Sequence, residues 1–211
     1  MPFRFPENDP SLLLIISGPA GSGKTTLGER LVAHDPATQR VVTCTTRAPR
    51  PGEIDGVDYF FLSEEEFEKS VAKGEFLEHA GVHGKRYGTL RSEVDKKLSR
   101  ALSIVLNIDV QGAATLRELA ETDSVLRSRM VSIFVLPPNL EVLRERLQMR
   151  GTDDPAAIEQ RLKRAEAEMV EWSKYDYCIR SGSKDEDFQQ LQSILVAERR
   201  KVARLRQSTE G

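Results

Sequence analysis

Eight consecutive residues, Gly18-Pro19-Ala20-Gly21-Ser22-Gly23-Lys24-Thr25, have the types and spacing to hold a polyphosphate. They match G-x-x-x-x-G-K-[ST] in full and directly follow the apolar run Leu12–Ile16. Glycines at these points let backbone N–H groups converge on phosphate oxygens, and the helix that follows adds partial positive charge at its N-terminus. Lys24 would reach the β- and γ-phosphates, the Thr25 hydroxyl would ligate Mg²⁺, and Thr26 would complete the donor site. An ordinary glycine-rich strand-to-helix turn is the plain alternative, and a full match directly after a strand disfavours it. The pattern implies that the chain binds a nucleoside triphosphate.

Other residues could do chemistry with less specific patterns. Thr45–Glu53 carries Arg47 and Arg50 in a proline-stiffened turn, a good setting for bidentate phosphate binding. On these residues alone a solvated basic loop is an equal reading. Asp109 closes the strand-like run Val105–Asp109, where ligands of parallel sheets sit, and it could equally cap the following helix. Arg144, Arg146, Arg150, Arg161 and Arg164 cluster around 144–164, with Arg144 and Arg164 reading best as a solvated helix face. His34, His79 and His83 have no catalytic partner pattern, Trp172 reads as packing, and Arg199-Arg200-Lys201 reads as a solvated face.

The elements that must position these residues follow from periodicity. Strand-like runs occur at Leu12–Ser17, Leu102–Ile108, Met130–Leu136 and Tyr177–Ile179. Helical patterns lie between them at 25–34, 111–121 and 139–148, and a last amphipathic helix over 185–206 repeats Phe188, Leu191, Leu195 and Val202. That alternation predicts a mostly parallel sheet covered on both faces. Residues 43–92 differ, with short glycine-broken strands that suggest an antiparallel insert. Ser63-Glu64-Glu65-Glu66 is a capping box there, starting a helix with Phe67 and Val71 inward. A second insert begins near 147, with Pro155 at the first position of a helix whose stripe is Ile158, Leu162, Ala165 and Met169.

Composition narrows the class. The 211 residues suit one domain with insertions, and 39% hydrophobic with 30% charged residues reads as a soluble globular protein. A net charge of −2 gives no bulk attraction to nucleic acid or membrane, so neither is expected as a partner. The first ten residues lack the apolar region of a signal peptide, and no run approaches a membrane span. Cys44 and Cys178 have no metal-ligand spacing and read as free thiols in a reducing compartment. The expectation is a cytoplasmic enzyme, either monomer or homodimer.

Several motifs together resemble the guanylate kinases. Thr45–Glu53, Gly56-Val57-Asp58-Tyr59, Glu75–Glu78, Tyr87-Gly88-Thr89, Ile108–Gly112 and Arg150-Gly151-Thr152 occur in that family's order, over about Leu12–Ile179. The resemblance implies a three-layer α/β P-loop kinase over residues 9–206. Its core would be about 9–42, 101–146 and 170–206, with a GMP-binding insert at about 43–92 and a lid at about 147–168. It implies transfer of the γ-phosphate of ATP to GMP, and to dGMP, giving ADP and GDP, with Mg²⁺ as cofactor.

By the same resemblance Arg47, Arg50, Tyr59 and Tyr87 would hold the GMP phosphate and Glu53 would brace an arginine. Thr43, Glu78, Thr89 and Asp109 would line the guanine. Without it, each tyrosine would be read as strand packing and Glu78 as a solvated strand position. Lys24, Arg47, Arg150 and Arg161 would be catalytic, the last pair closing over the transferring group, with Arg146 near the nucleotide. One position departs from the family: an acidic residue is usual two places before Asp109, and this chain has Asn107. Two rivals remain, a protein-binding module with this fold and a P-loop kinase of another phosphorylated acceptor.

Overall fold

The run at 12–17 is apolar throughout because its strand is covered on both sides. In the computed structural model, which describes residues 10–82, 84–100, 103–149 and 154–207, β1 (Leu13–Ser17) is buried at every position. Leu12, Leu14 and Ile16 point into one core cluster, whereas Leu13 and Ile15 point into another. This is the period-two alternation of a strand sandwiched between two helical layers.

The first layer is supplied by α1 (Lys24–His34) and α8 (Lys184–Arg199), through Leu27, Leu31, Phe188 and Leu191. The second is supplied by α3 (Arg91–Leu98), α4 (Val110–Thr122) and α5 (Ser124–Arg129), through Val94, Leu98, Leu116 and Leu126. The core sheet runs β2-β7-β1-β8-β9, every pair parallel, with β2 Thr38–Arg40, β7 Ser103–Asn107, β8 Met130–Leu136 and β9 Tyr177–Arg180. Ile16 of β1 stands opposite Asn107 of β7, so the loops leaving both strands emerge side by side at the carboxyl end of the sheet. That is where ligands of open α/β sheets bind.

A second sheet, order β4-β3-β6-β5, comprises β3 (Thr43–Thr45), β4 (Tyr59–Phe61), β5 (Phe76–Val82) and β6 (Lys85–Leu90), with α2 (Glu64–Ala72) on it. Ser63 and Glu66 form the reciprocal capping box, and Phe67 is buried against Phe76. The sheet is antiparallel at β3–β6 and β5–β6, but β3 and β4 run parallel, which departs from an all-antiparallel insert. The loop 46–58 carries the chain back to the starting end of β3 before β4 begins, so no hairpin forms. A third, small cluster joins α6 (Leu140–Met149) to α7 (Pro155–Met169) through Leu143, Leu147, Ile158, Leu162 and Ala165.

Two expectations are corrected. The last helix is broken: α8 ends at Arg199, α9 spans Val202–Gln207, and Val202 is 62% exposed rather than on the buried stripe. Arg204 instead anchors the end of the chain to the carbonyls of Ser128 and Met130 and to Glu198. Trp172 is not a core residue; it sits 48% exposed on a 3₁₀ turn, Val170–Lys174, that contributes no buried residue. β2, α3 and α5 had no apolar run long enough to be read.

Candidate active site

The phosphate loop is shaped by positions where a side chain does not fit. Gly18 has φ 138°, and a Cβ there would lie 2.5 Å from the carbonyl oxygen of Val135. Gly23 (φ 108°) precedes α1 without a side-chain cap, and the first turn holds no acidic residue. The first N–H groups of an 11-residue helix therefore stay available to an anion. Lys24 folds back over the loop and donates from Nζ to the carbonyls of Gly18 (2.6 Å) and Pro19 (2.8 Å). Ser22 N closes the turn on Pro19 O at 3.1 Å. Arg146 fixes the far side by donating to Ser22 O and Ser181 Oγ at 3.1–3.2 Å.

A cavity of about 580 Å³ opens from this loop toward the second sheet. Gly18, Ala20, Lys24 and Thr25 line its donor end; Thr43, Tyr59, Glu78, Tyr87 and Asp109 line the other. Gly21, Ser22, Gly23 and Thr26 face a neighbouring cavity of about 300 Å³ with Arg146, Ser181 and Asp187. The eight-residue motif thus borders both.

Glu78 is the most unusual group of the large cavity. It lies on β5, 5% exposed, and Oε1 accepts a hydrogen bond from Thr89 Oγ1 at 2.5 Å. Burial pushes its carboxyl up to about 7, the Thr89 bond pulling it down and the Asp109 charge raising it further. Gly112 at the start of α4 makes room: a Cβ there would stand 2.6 Å from Glu78 Oε2. Asp109 caps α4, accepting from Gly112 N at 2.9 Å, and also lines the cavity, so the capping role leaves it at the site. Thr43 sits beside them on β3, while Thr89 reaches the site through Glu78.

Arg47 and Glu53 form a two-pronged pair, Nη1–Oε2 2.9 Å and Nη2–Oε1 2.8 Å, in the loop before β4. Glu53 also accepts from Arg50 N at 2.6 Å, so one carboxylate holds the guanidinium of Arg47 and the backbone of Arg50. The Arg47 bond holds the Glu53 carboxyl below its ordinary value, and the Glu53 bond raises Arg47 in return. The Arg47 guanidinium carbon stands 5.4 Å from the Tyr59 ring centre, and Tyr59 and Tyr87 meet edge to face at 6.1 Å. Burial raises the Tyr59 phenol, so it stays a neutral donor at neutral pH. None of Arg47, Arg50 and Glu53 lines the large cavity; Arg47 borders it at Tyr59, and Glu53 and Arg50 are joined to Arg47 behind it.

The helix α7 closes one side. Arg161, Arg164 and Glu168 all line the cavity. Their i, i+3, i+7 spacing places them on one face, next to the stripe of buried Ile158, Leu162 and Ala165. Arg164 had read as solvated and Glu168 had no role; the same-face spacing with Arg161 was the signal for both. Burial raises the Glu168 carboxyl, Lys24 lowers it, Asp109 raises it and Arg164 lowers it, so it stands among the site's charges. Arg144 pairs with Glu159 across α6 and α7 at the surface. Arg150 and the motif Arg150-Gly151-Thr152 lie outside the described residues, as does His83. Asn107 lines the cavity, and its buried Oδ1 has no hydrogen-bond partner among the described residues.

Comparison with known proteins agrees with this geometry. The family model for guanylate kinase matches residues 11–198. A guanylate kinase from Wolbachia sp. subsp. Brugia malayi (strain TRS) is 43% identical over 195 residues, covering 92% of this chain and 96% of the relative. One from Clostridium perfringens (strain SM101 / Type A) is 40% identical over 202 residues, covering 96% and 90%. The crystal structure of guanylate kinase from Anaplasma phagocytophilum superposes with a TM-score of 0.76 at 33% identity, covering 96% of this chain and 95% of that one.

Proposed function

The chain belongs to the guanylate kinase family, and from that premise we infer how its cavity performs the reaction. It is a nucleoside monophosphate kinase that transfers the γ-phosphate of ATP to GMP, giving ADP and GDP. The observation that carries the detailed reading is one cavity bounded by Lys24 at one end and by the buried Glu78 at the other. ATP would lie along residues 18–26 and GMP against the second sheet, the two phosphates meeting between.

Guanine offers N1–H and N2–H₂ on its Watson–Crick edge, and an ionised Glu78 offers only acceptors. Adenine presents an acceptor there and would leave a buried carboxylate unpaired, a heavy penalty. Thr89 orients Glu78, and Asp109 and Thr43 supply further polar groups beside it. Arg47, Arg50, Tyr59 and Tyr87 would take the acceptor phosphate, with Glu53 pre-aiming Arg47. The acceptor is a phosphate with second pKa of roughly 6, already ionised at neutral pH, so no strong general base is needed. Catalysis then rests on alignment and charge: Lys24 would leave the Gly18 and Pro19 carbonyls for the ATP phosphates, and Arg161 would face the group in flight.

Residues present fit a magnesium ion brought with ATP: Thr25 lines the cavity, and Asn107 Oδ1 is an oxygen acceptor with no partner among the described residues. Bound there, Mg²⁺ would neutralise phosphate charge. The second sheet would act as the acceptor insert and α7 as part of a lid that excludes water. Among the described residues no helix is long and apolar enough to cross a membrane, and the two cysteines are unpaired, which fits a reducing, cytoplasmic site of action.

The test is a panel of GMP, dGMP, AMP, UMP and CMP with ATP·Mg²⁺. GMP should be phosphorylated and AMP left nearly untouched; equal turnover of both would end the Glu78 argument.

A further inference from the structure

We propose that Arg40, a core-sheet residue outside the cavity, positions Tyr59 and thereby sets the affinity for GMP. The inference rests on the reading of Tyr59 as a ligand of the acceptor phosphate. Arg40 ends β2 at the edge of the core sheet, three residues before β3 opens the second sheet. Its guanidinium leaves the core: Nη2 donates to the backbone carbonyl of Asp58, and Nη1 lies 4.0 Å from Asp58 Oδ1. The Arg40 guanidinium carbon also stands 5.8 Å from the Tyr59 ring centre, with Arg47 at 5.4 Å from the same ring. Both distances fall within about 6 Å, the range of cation–π attraction.

The local structure explains why such a tie matters. β4 is only three residues long and lies at the edge of its sheet; among the described strands it pairs with β3, and a single bridge joins Tyr59 to Asp55. Few ladder bonds therefore fix where Tyr59 points. The turn before it is closed on itself, Ile54 N donating to Asp58 Oδ2 at 2.8 Å, Asp58 N to Ile54 O at 2.9 Å and Gly56 N to Tyr59 O at 2.8 Å. Those bonds tie the turn together, and Arg40 fastens it to the core through Asp58. Two guanidiniums near one ring would repel each other, but each has its own carboxylate, Asp58 for Arg40 and Glu53 for Arg47. Tyr59 lines the cavity and Arg40 does not, so Arg40 acts through the tyrosine.

The experiment compares Arg40→Leu, Arg40→Lys, Tyr59→Phe and the Arg40→Leu/Tyr59→Phe double variant by steady-state kinetics and melting temperature. Arg40→Leu should raise KM for GMP about tenfold while kcat and KM for ATP stay within about twofold. Arg40→Lys keeps a charge but loses the flat fork, so its rise in KM should be smaller. The double variant should show KM effects well short of the product of the singles, because both act on one contact. If Tyr59→Phe raises KM for GMP but Arg40→Leu does not, or the two effects multiply, the inference is wrong. A fall in kcat and a rise in both KM values, with a lowered melting temperature, would assign Arg40 a structural role instead. If Tyr59→Phe itself leaves KM for GMP unchanged, the reading of Tyr59 as a phosphate ligand fails first.

Discussion

On the proposed reading, the two ends of the large cavity would recognise their ligands by different means. The donor end is one stretch of chain, residues 18–26, in which glycine geometry and a helix N-terminus supply most of the anion-binding groups. The other end is lined from β3, β4, β5, β6 and the start of α4, with the loop 46–58 bordering it through Arg47 at Tyr59, and on the proposed reading it would work through side chains. A polyphosphate can be held by backbone N–H groups that any short motif provides. A nucleobase has to be told from its rivals, which takes a buried acceptor whose desolvation penalises the wrong partner. The donor end should therefore fail in rate when altered, and the acceptor end in affinity and selectivity.

The largest effect should come from Lys24→Ala, with kcat lowered at least ~100-fold, a preorganised charge at the developing negative charge being worth a few kcal/mol. Unchanged circular dichroism with a loss below tenfold would mean that Lys24 does not carry transition-state charge.

Glu78→Gln tests the acceptor end. A carboxamide keeps one acceptor and turns a donor toward guanine's donors, so KM for GMP should rise on the order of 30-fold or more. The pH dependence sharpens this. With its carboxyl at about 7, Glu78 gains a proton as pH falls through neutrality and loses acceptor capacity. KM for GMP in the unaltered protein should therefore rise from pH 8 to pH 6. The Gln variant, read as the control for titration of GMP itself, should show a smaller slope.

The same residue sets a stability cost. Because its folded value lies above the ordinary 4.5, the folded state holds the proton more tightly. Its contribution is fully favourable below pH 4.5 and is lost as pH rises toward 7 and beyond. In urea unfolding without GMP, Glu78→Gln should then be more stable than the parent at pH 8, by about 3–4 kcal/mol at most, and equal to it near pH 4.5. A destabilised Gln variant at pH 8 would contradict burial of an ionised Glu78.

A smaller contrast separates α7 from the loop 46–58. Arg161→Ala should chiefly lower kcat, about tenfold, whereas Arg47→Ala and Arg50→Ala should chiefly raise KM for GMP. An Arg161 variant with normal kcat and only a weaker KM would erase the division. Smallest of all should be Asn107→Asp, with kcat changed by less than about tenfold and a modestly tighter Mg²⁺ requirement. An inactive parent enzyme rescued by that substitution would favour a binding module over a kinase.

Legibility in the sequence followed the same divide. The loop 18–25 was readable because its geometry is local: each glycine answers to its own φ and the strand before it is uniformly apolar. Arg47, Arg50 and Glu53 stood out as a stiff charged turn, yet only the fold shows one carboxylate holding both arginines. Glu78 looked like a solvated strand residue by itself, and it was singled out through family motifs. Its burial arises because α4 lies against β5 and Gly112 leaves space. Glu168 went unread because its neighbours in space, Lys24 and Asp109, are far away in the chain. Trp172 differs for the opposite reason, a large apolar side chain that its neighbours cover only by half.

By itself, then, the sequence determined the phosphate loop, the parallel alternating core and, with the ordered motifs, the family. These depend on interactions within a few residues or on periodicities of 2 and 3.6, which the linear chain records directly. Only the tertiary structure decided which carboxylates are buried, which face of α7 meets the cavity and that a core arginine reaches across to Tyr59. Burial, dielectric and pairing are properties of what surrounds a group, and the chain brings those surroundings from strands and helices dozens of residues apart.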